Sequence, residues 1–417
     1  MTARELSPED LPEAIDRALQ GDSILILPAN REGAVTEAAP SSWAGTGTCP
    51  ALILFTSGST GQAKAVALSA RALTTSARAT ERSLSGPGDW YLCLPVNHIA
   101  GFQVELRARL AGRPPVRSTS ARFTAASFTT GADQLLDRAG DRPTYASLVP
   151  TQLHRILEDD HAADLASRID HILLGGAAIP PALLDRADAA GLSIVRTYGM
   201  SETAGGCVYD GVPFDGVDIT ITESGTIDLS GPVVADAYVD IAADGTITPV
   251  DSPDLEVDVQ GRRIMHTSDL GRLEAGVLTV LGRADDIIVS GGTNVSPHAL
   301  ETGLLPSWQR EGIAEMLVTW VPDAEWGKRI VALVRFAEPL RELAQPLREI
   351  TESPRELARR LTALDHGMSG QLLPQLVFAV DEIPSRSIGK PDRQAAAELA
   401  AELAAELDAT AAEYPCR

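Results

Sequence analysis

Cysteine is scarce. Cys49, Cys93, Cys207 and Cys416 are the four in 417 residues, and none forms a C-x-x-C pair or a zinc spacing. That argues against a disulfide-stapled fold or a structural zinc site and predicts a reduced, intracellular protein. Basic residues are also few, 35 Lys and Arg against 57 Asp and Glu, for a formal charge of −22. A broad nucleic-acid surface must collect cations to neutralise phosphates, so that partner class is excluded. A small anion needs only a few placed cations and stays open. No apolar run reaches the ~18 residues of a membrane span. The first twenty residues mix acids and bases without an apolar stretch, so no signal peptide is expected and a cytoplasmic location is.

What is present fits a globular protein with a large core: 44% of residues are hydrophobic and 22% charged. The length predicts two or three domains. Residues 30–50, rich in Ala, Gly, Ser, Thr and Pro, read as loop. Ala51–Phe55 and Ala65–Leu68 read as strands around a Ser/Thr/Gly segment, and Ser69 as the N-cap of a helix running to about Arg82. Strands at Tyr145–Val149, His171–Leu174 and Ser193–Thr197 alternate with helices at Thr151–Glu158 and Pro181–Ala190. That order implies a parallel sheet with crossover helices, an α/β fold. Ligands of such sheets bind beyond the carboxyl ends of the strands, which places the search at Pro150, Gly175-Gly176 and Tyr198-Gly199. Residues 212–281 change to short alternating segments with Gly and Asp turns and read as a β subdomain. From Asp285 onward a smaller α+β unit is expected, with strands near Met316–Val321 and Ile330–Phe336 and a helix near Pro354–Asp365. Residues 394–413, rich in Ala, Glu and Leu at helical spacing, read as a solvated terminal helix.

Four segments carry chemistry. Thr56-Ser57-Gly58-Ser59-Thr60-Gly61-Gln62-Ala63-Lys64 offers small residues, hydroxyls and one lysine. Such a loop lets backbone N–H groups approach phosphate oxygens, where a mere polar hairpin turn has no need of that composition. Tyr198-Gly199-Met200-Ser201-Glu202-Thr203-Ala204 ends the third parallel strand. Glu202 there is placed to hold Mg²⁺ on nucleotide phosphates, and Tyr198 to stack on a base; the plainer alternative is a solvated carboxylate. Asp269, followed by Gly282-Arg283-Ala284-Asp285, supplies an acceptor for two ribose hydroxyls and a cation to reinforce it, or else a surface ion pair. Lys390, between Gly389 and Pro391, sits on a non-helical loop from which it can swing onto a transferring phosphate.

Together and in this order, the four segments resemble the adenylate-forming superfamily of acyl-CoA synthetases, peptide-synthetase adenylation domains and luciferases. The resemblance covers about Leu52 to Arg393. It implies a large N-terminal domain (1–284), a small mobile C-terminal domain (285–417), and a segment before Leu52 shorter than in most relatives. It implies ATP, Mg²⁺ and coenzyme A as ligands. By resemblance, Thr56–Lys64 is the pyrophosphate-binding loop, with Ala63 where the family has proline. Gly175, Gly176 and Ala177 line the adenine side, Ser201 contacts the α-phosphate and Glu202 holds Mg²⁺. Asp269 and Arg283 contact the ribose, Asp285 is the hinge and Lys390 the lysine of adenylation. Ser290, Gly291 and Gly292 face the coenzyme A channel.

The acid is addressed by Leu94–Arg107. His98 is read as ending a strand and preceding a helix whose apolar stripe is Ile99, Phe102, Leu106 and Leu110, with Arg107 on its border beside Gln103. A basic residue nine after the histidine resembles the 2-succinylbenzoate–CoA ligases of menaquinone biosynthesis, and Val195–Gly211 resembles their compact actinobacterial form. That resemblance implies His98, Arg107 and Gly199 around a dicarboxylic acid. Plainer readings keep Arg107 as a packed stem with a solvated head and His98 as a core histidine. A ligase for another acid, a stand-alone module loading a carrier protein and a non-catalytic nucleotide binder remain open, as does a homodimer.

Overall fold

The computed structural model describes residues 4–7, 9–28, 35–57, 63–118, 120, 122–337, 353–364, 366, 372–385 and 391–413. Two units emerge: Met1–Ile179 with Leu183–Val280, and Pro180–Ala182 with Leu281–Arg417.

The first unit is organised by the expected parallel sheet. Strands Ile194–Met200, His171–Leu174, Thr144–Leu148, Asp89–Leu92 and Val116–Arg117 run parallel in that spatial order, and Gly205–Tyr209 and Val212–Pro213 add antiparallel at one edge. Parallel strands need covering on both faces, and the side chains divide accordingly. Ala146, Leu148, Ile172 and Leu174 pack with Phe128, Leu135 and Leu153 of the helices on one side. Trp90, Tyr145 and Leu173 face the opposite way, against Val104 and Ala108.

A second seven-stranded sheet runs Arg4–Glu5, Thr36–Ala38, Ile24–Leu27, Leu52–Ser57, Ala63–Leu68, Ala237–Ile241, Ile247–Val250. Its inner residues, among them Leu25, Leu52, Leu54, Val66 and Leu68, pack with Leu73, Phe102 and Leu106. Helices Ala70–Ser83 and Ile99–Leu110 therefore lie between the two sheets. Ser69 caps the first of them, accepting from the Ala72 amide at 3.3 Å, which agrees with the N-cap expected there.

Three expectations are corrected. The stretch 30–50 read as loop includes the strand Thr36–Ala38, because antiparallel pairing with Ile24–Leu27 outweighs its weak local preference. Not all of 212–281 is one β subdomain. Strands Asp218–Ile221, Thr226–Ser230, Leu255–Val257 and Arg263–Glu274 do form a separate antiparallel sheet, with a further strand from Val277. Ala237–Ile241 and Ile247–Val250 instead join the second sheet, through pairing of Tyr238 with Val66. The third correction concerns the terminal helix.

The second unit holds a three-stranded sheet, Ile313–Asp323, Gly327–Phe336 and Leu376–Ala379. Its side chains alternate strictly: Val318, Ala332 and Val334 face helices Pro297–Gln309 and Pro354–Thr362, whereas Leu317, Val331 and Leu333 face the other way. That second face is covered by Arg393–Glu413, whose Ala396 and Ala400 are fully buried. The terminal helix is thus a packed layer, since a sheet apolar on both faces requires two covers. Asp365, expected at the end of the preceding helix, lies outside the described residues. No helix among the described residues is long and apolar enough to cross a membrane.

Candidate active site

The carboxyl end of the parallel sheet is shaped by close backbone approaches. A β-carbon on Gly175 would meet Thr197 Oγ1 at 2.2 Å, and one on Gly199 would meet the Gly205 carbonyl at 2.3 Å. Glycine at both positions lets the strand ends and the antiparallel return strand converge. Ser201–Thr203 form a single 3₁₀ turn, locked by the buried Thr203 hydroxyl, which donates to the Gly205 carbonyl at 2.8 Å and accepts the Met200 amide at 2.9 Å. Ser201 is half-buried on that turn. Gly176 and Ala177 follow Gly175 on the neighbouring loop, Gly176 with φ +82°.

Glu202 leaves this turn and is buried. Its carbonyl accepts the Ala235 amide at 2.7 Å and its Oε1 accepts the Tyr238 hydroxyl at 3.0 Å. Because Tyr238 stands beside Val66 in the second sheet, the bond joins the two sheets. Lys64 of the same sheet places Nζ 5.0 Å from the centre of the Tyr238 ring and 2.6 Å from Asp254 Oδ2. Thr56 lies opposite Lys64 in the hairpin, its hydroxyl donating to the Lys64 carbonyl at 3.3 Å. The structure thus brings Lys64 and Glu202 together at Tyr238, with Thr56 opposite Lys64. Ser57 is in the strand, and Gly58, Ser59, Thr60 and Gly61 lie outside the described residues.

Tyr198 and Asp269 also meet: the Tyr198 hydroxyl donates to Asp269 Oδ2 at 2.8 Å. Burial, reinforced by the carboxylate each one faces, raises the Tyr198 and Tyr238 phenols above their ordinary value. Both therefore stay protonated donors across the physiological range. The described residues hold no cluster of three or more His, Cys, Asp or Glu suited to a metal. A single buried carboxylate such as Glu202 suits Mg²⁺, which takes one or two protein carboxylates and completes its shell with phosphates and water.

His98, half-buried, is the N-cap residue of Ile99–Leu110; the strand expected to end at His98 ends at Leu92 instead, and a turn through Pro95–His98 fills the interval. A β-carbon on Gly205 would lie 3.8 Å from Ile99 Cγ1 and 3.5 Å from Gln103 Cγ. The first turn of this helix therefore borders the strand-end site. The stripe-and-border reading of the helix is corrected: Gly101 through Ala108 are all buried, because the helix is enclosed between two sheets. Arg107 is 3% exposed, its guanidinium 5.3 Å from the Trp90 ring centre. Its Nε has no hydrogen-bond partner. Burial lowers the Arg107 pKa, opposed by Tyr209 and Glu81 nearby. This cation does not have the solvated head of the plainer alternative.

Arg283, Asp285, Ser290, Gly291 and Gly292 belong to the second unit, where Arg283 pairs with Asp285 at 2.9 Å and residues 290–293 make the turn of a hairpin. Lys390 lies outside the described residues. Tyr238 and Asp254 were not anticipated. Nothing in their local sequence marks them, and Asp254 is 190 positions from Lys64.

This layered α/β architecture goes with a match of residues 8–262 to the AMP-binding enzyme family model. The chain belongs to the AMP-binding enzyme family. It is 38% identical, over 83% of each chain, to a protein of Mycobacterium tuberculosis named probable 2-succinylbenzoate–CoA ligase. Among solved structures it is similar to o-succinylbenzoate CoA synthetase from Bacillus subtilis in complex with its acyl-adenylate intermediate. The identity is 25% and the TM-score 0.63, covering 83% of this chain and 68% of that one. ATP-bound MatB from Rhodopseudomonas palustris shares the fold, with a TM-score of 0.67 at 22% identity over 84% of this chain and 68% of that one.

Proposed function

We propose that this protein is an AMP-forming acid–CoA ligase acting on 2-succinylbenzoate in menaquinone biosynthesis, in the cytoplasm. The observation that carries the reading is the bridge at the sheet's carboxyl end, where Tyr238 bonds to Glu202 and lies under Lys64, with Thr56 opposite Lys64; the Tyr198–Asp269 pair on the strand that leads to Glu202 supports it. Kinship with the mycobacterial relative over most of the chain supports the choice of acid.

In the first half-reaction a substrate carboxylate oxygen attacks the α-phosphorus of ATP, the bond to the bridging oxygen breaks, and pyrophosphate leaves. Negative charge builds on the phosphoryl oxygens and must be met by positioned donors. Lys64, the Thr56–Gly61 segment and Ser201 serve the phosphates. Glu202 would hold Mg²⁺, which when bound offsets phosphate charge. Tyr198 and the Gly175–Ala177 loop take the adenine, Asp269 and Arg283 the ribose, and Lys390 the transferring centre. In the second half-reaction the coenzyme A thiol attacks the acyl carbon and AMP departs. The turn Ser290–Gly292 serves the thiol's approach, with Asp285 as hinge between domains 1–284 and 285–417.

For the acid, His98 and Gly199 border the reacting carboxylate and Arg107 receives the second one. A guanidinium that is buried with an unsatisfied Nε is costly without an anion, and a fork of donors suits a carboxylate. A pyrophosphate-release screen over aromatic mono- and dicarboxylic acids tests the reading. Release is expected with 2-succinylbenzoate and little with acids lacking the second carboxylate. Equal release with a monoacid would move the chain to a ligase for another acid.

A further inference from the structure

Asp254 stands where the proposed chemistry has no use for a negative charge. Its carboxylate is 2.6 Å from Lys64 Nζ, and the ammonium is flanked on another side by the Tyr238 ring at 5.0 Å. Both partners are part-exposed, 41% for Lys64 and 39% for Asp254. Incoming phosphates can therefore reach the pair. Asp254 is held in place by its backbone: its amide donates to Ser252 Oγ at 3.3 Å and its carbonyl accepts the His266 amide at 2.8 Å. The carboxylate thus projects from the sheet-bound end of the strand Leu255–Val257 and is not free to follow a departing lysine far.

We propose that Asp254 is a positioning residue that occupies Lys64 in the nucleotide-free enzyme, competes with ATP and pyrophosphate for it, and so hastens pyrophosphate release. This rests on the reading of Thr56–Lys64 as the phosphate-binding segment. The physical argument is one of like charges. When a triphosphate engages Lys64, Asp254 either surrenders the ammonium or remains beside several phosphate negative charges, and each outcome weakens phosphate binding. Once the α–β phosphate bond is broken, the separated pyrophosphate lacks the nucleoside contacts that anchored ATP. Asp254 then competes on better terms, and the ion pair re-forms as the product leaves. The neighbouring Tyr238–Glu202 bond is compatible with both states, because the ring face that Lys64 covers is not needed for the hydroxyl to donate.

The test is a double-mutant cycle on the full-length chain, with ATP and inorganic pyrophosphate binding measured by calorimetry in Mg²⁺ buffer. Exposed ion pairs couple weakly, so Asp254→Asn should tighten both ligands by about two- to fivefold, and pyrophosphate should become a correspondingly stronger product inhibitor. Lys64→Ala should weaken both ligands, and adding Asp254→Asn to it should change little further. Asp254→Glu, which keeps the charge, should bind pyrophosphate like the parent. Unchanged or weaker binding by Asp254→Asn overturns the proposal. So does tightening that persists in the Lys64→Ala background, which would mark a general charge effect. If Lys64→Ala alone binds ATP as tightly as the parent, the phosphate-segment reading itself fails, and the role of Asp254 fails with it.

Discussion

Replacing Arg107 by methionine separates a residue kept for its substrate from one kept for the fold. The guanidinium is 3% exposed, rests 5.3 Å from the Trp90 ring centre and leaves its Nε unsatisfied. Tyr209 and Glu81 are the groups that offset its burial, and burial pushes Glu81 above the usual carboxylate range, the charges of Arg78 and Arg107 opposing the shift. A buried charge with incomplete pairing is weak support for stability. Exchange for an apolar side chain of similar volume is neutral or stabilising by ~1–4 kcal/mol in comparable sites. The lost cation–π contact takes back about 0.5–2 kcal/mol. The net expectation for Arg107→Met is a urea midpoint equal to or above the parent's. Activity should move the other way. Removing one partner of a buried charge pair costs ~3–5 kcal/mol, which is at least a hundredfold in kcat/KM for the dicarboxylic acid. Affinity for ATP should be unchanged. Urea unfolding and steady-state pyrophosphate release with matched mono- and dicarboxylic acids give both readouts. A variant that is clearly less stable yet discriminates between the acids like the parent refutes the argument and makes Arg107 a fold residue.

Lys390→Ala should depress acid-dependent pyrophosphate release by a hundredfold or more, the ~3 kcal/mol typical of a lost transition-state contact, while thioesterification of a supplied acyl-adenylate survives; equal loss of both half-reactions removes the assignment. Glu202→Gln should raise the Mg²⁺ concentration needed for half-maximal pyrophosphate release, and an unchanged titration would make Glu202 structural. Tyr238→Phe removes a hydrogen bond to a buried carboxylate and should lower stability by ~1.5–3 kcal/mol, read from the urea midpoint. His266 is opposed by burial, but its bonds to Asp228 and Glu256 prevail and raise its pKa above 6.5. A raised folded-state value means its contribution is fully present below pH 6.5 and lost as pH climbs through the folded value. His266→Gln should therefore cost more stability at pH 5.5 than at pH 8.5, and a pH-independent cost would contradict this.

Much of the frame was legible because three strands of the parallel sheet carry their own signals, whereas Asp89–Leu92 and Val116–Arg117 went unread. His171–Leu174 is a short apolar run bounded by polar residues, and Ser69 is a side-chain cap that acts on its own helix. What was not legible depends on partners distant in sequence. Thr36–Ala38 is a strand because Ile24–Leu27 lies beside it, and Ala237–Val250 joins the second sheet because Tyr238 finds Val66. The helix after His98 has the composition of an amphipathic surface helix, yet a sheet lies on each side of it and buries Gln103, Glu105 and Arg107 alike. At the site, residues within one motif were readable from their types. The contacts of Lys64 with Asp254 and of Glu202 with Tyr238 cross from one segment to another and leave no local trace. The terminal helix was misjudged for the same reason, because Ala396 and Ala400 gain their role only from the sheet they cover.

The most direct test incubates the purified chain with ATP, Mg²⁺ and 2-succinylbenzoate, with and without coenzyme A, and quantifies nucleotides and acyl products by mass spectrometry. The account predicts acyl-adenylate and pyrophosphate without coenzyme A, and AMP and 2-succinylbenzoyl-CoA in equal amounts with it. Formation of ADP in place of AMP, or an adenylate that never passes to coenzyme A, would contradict it.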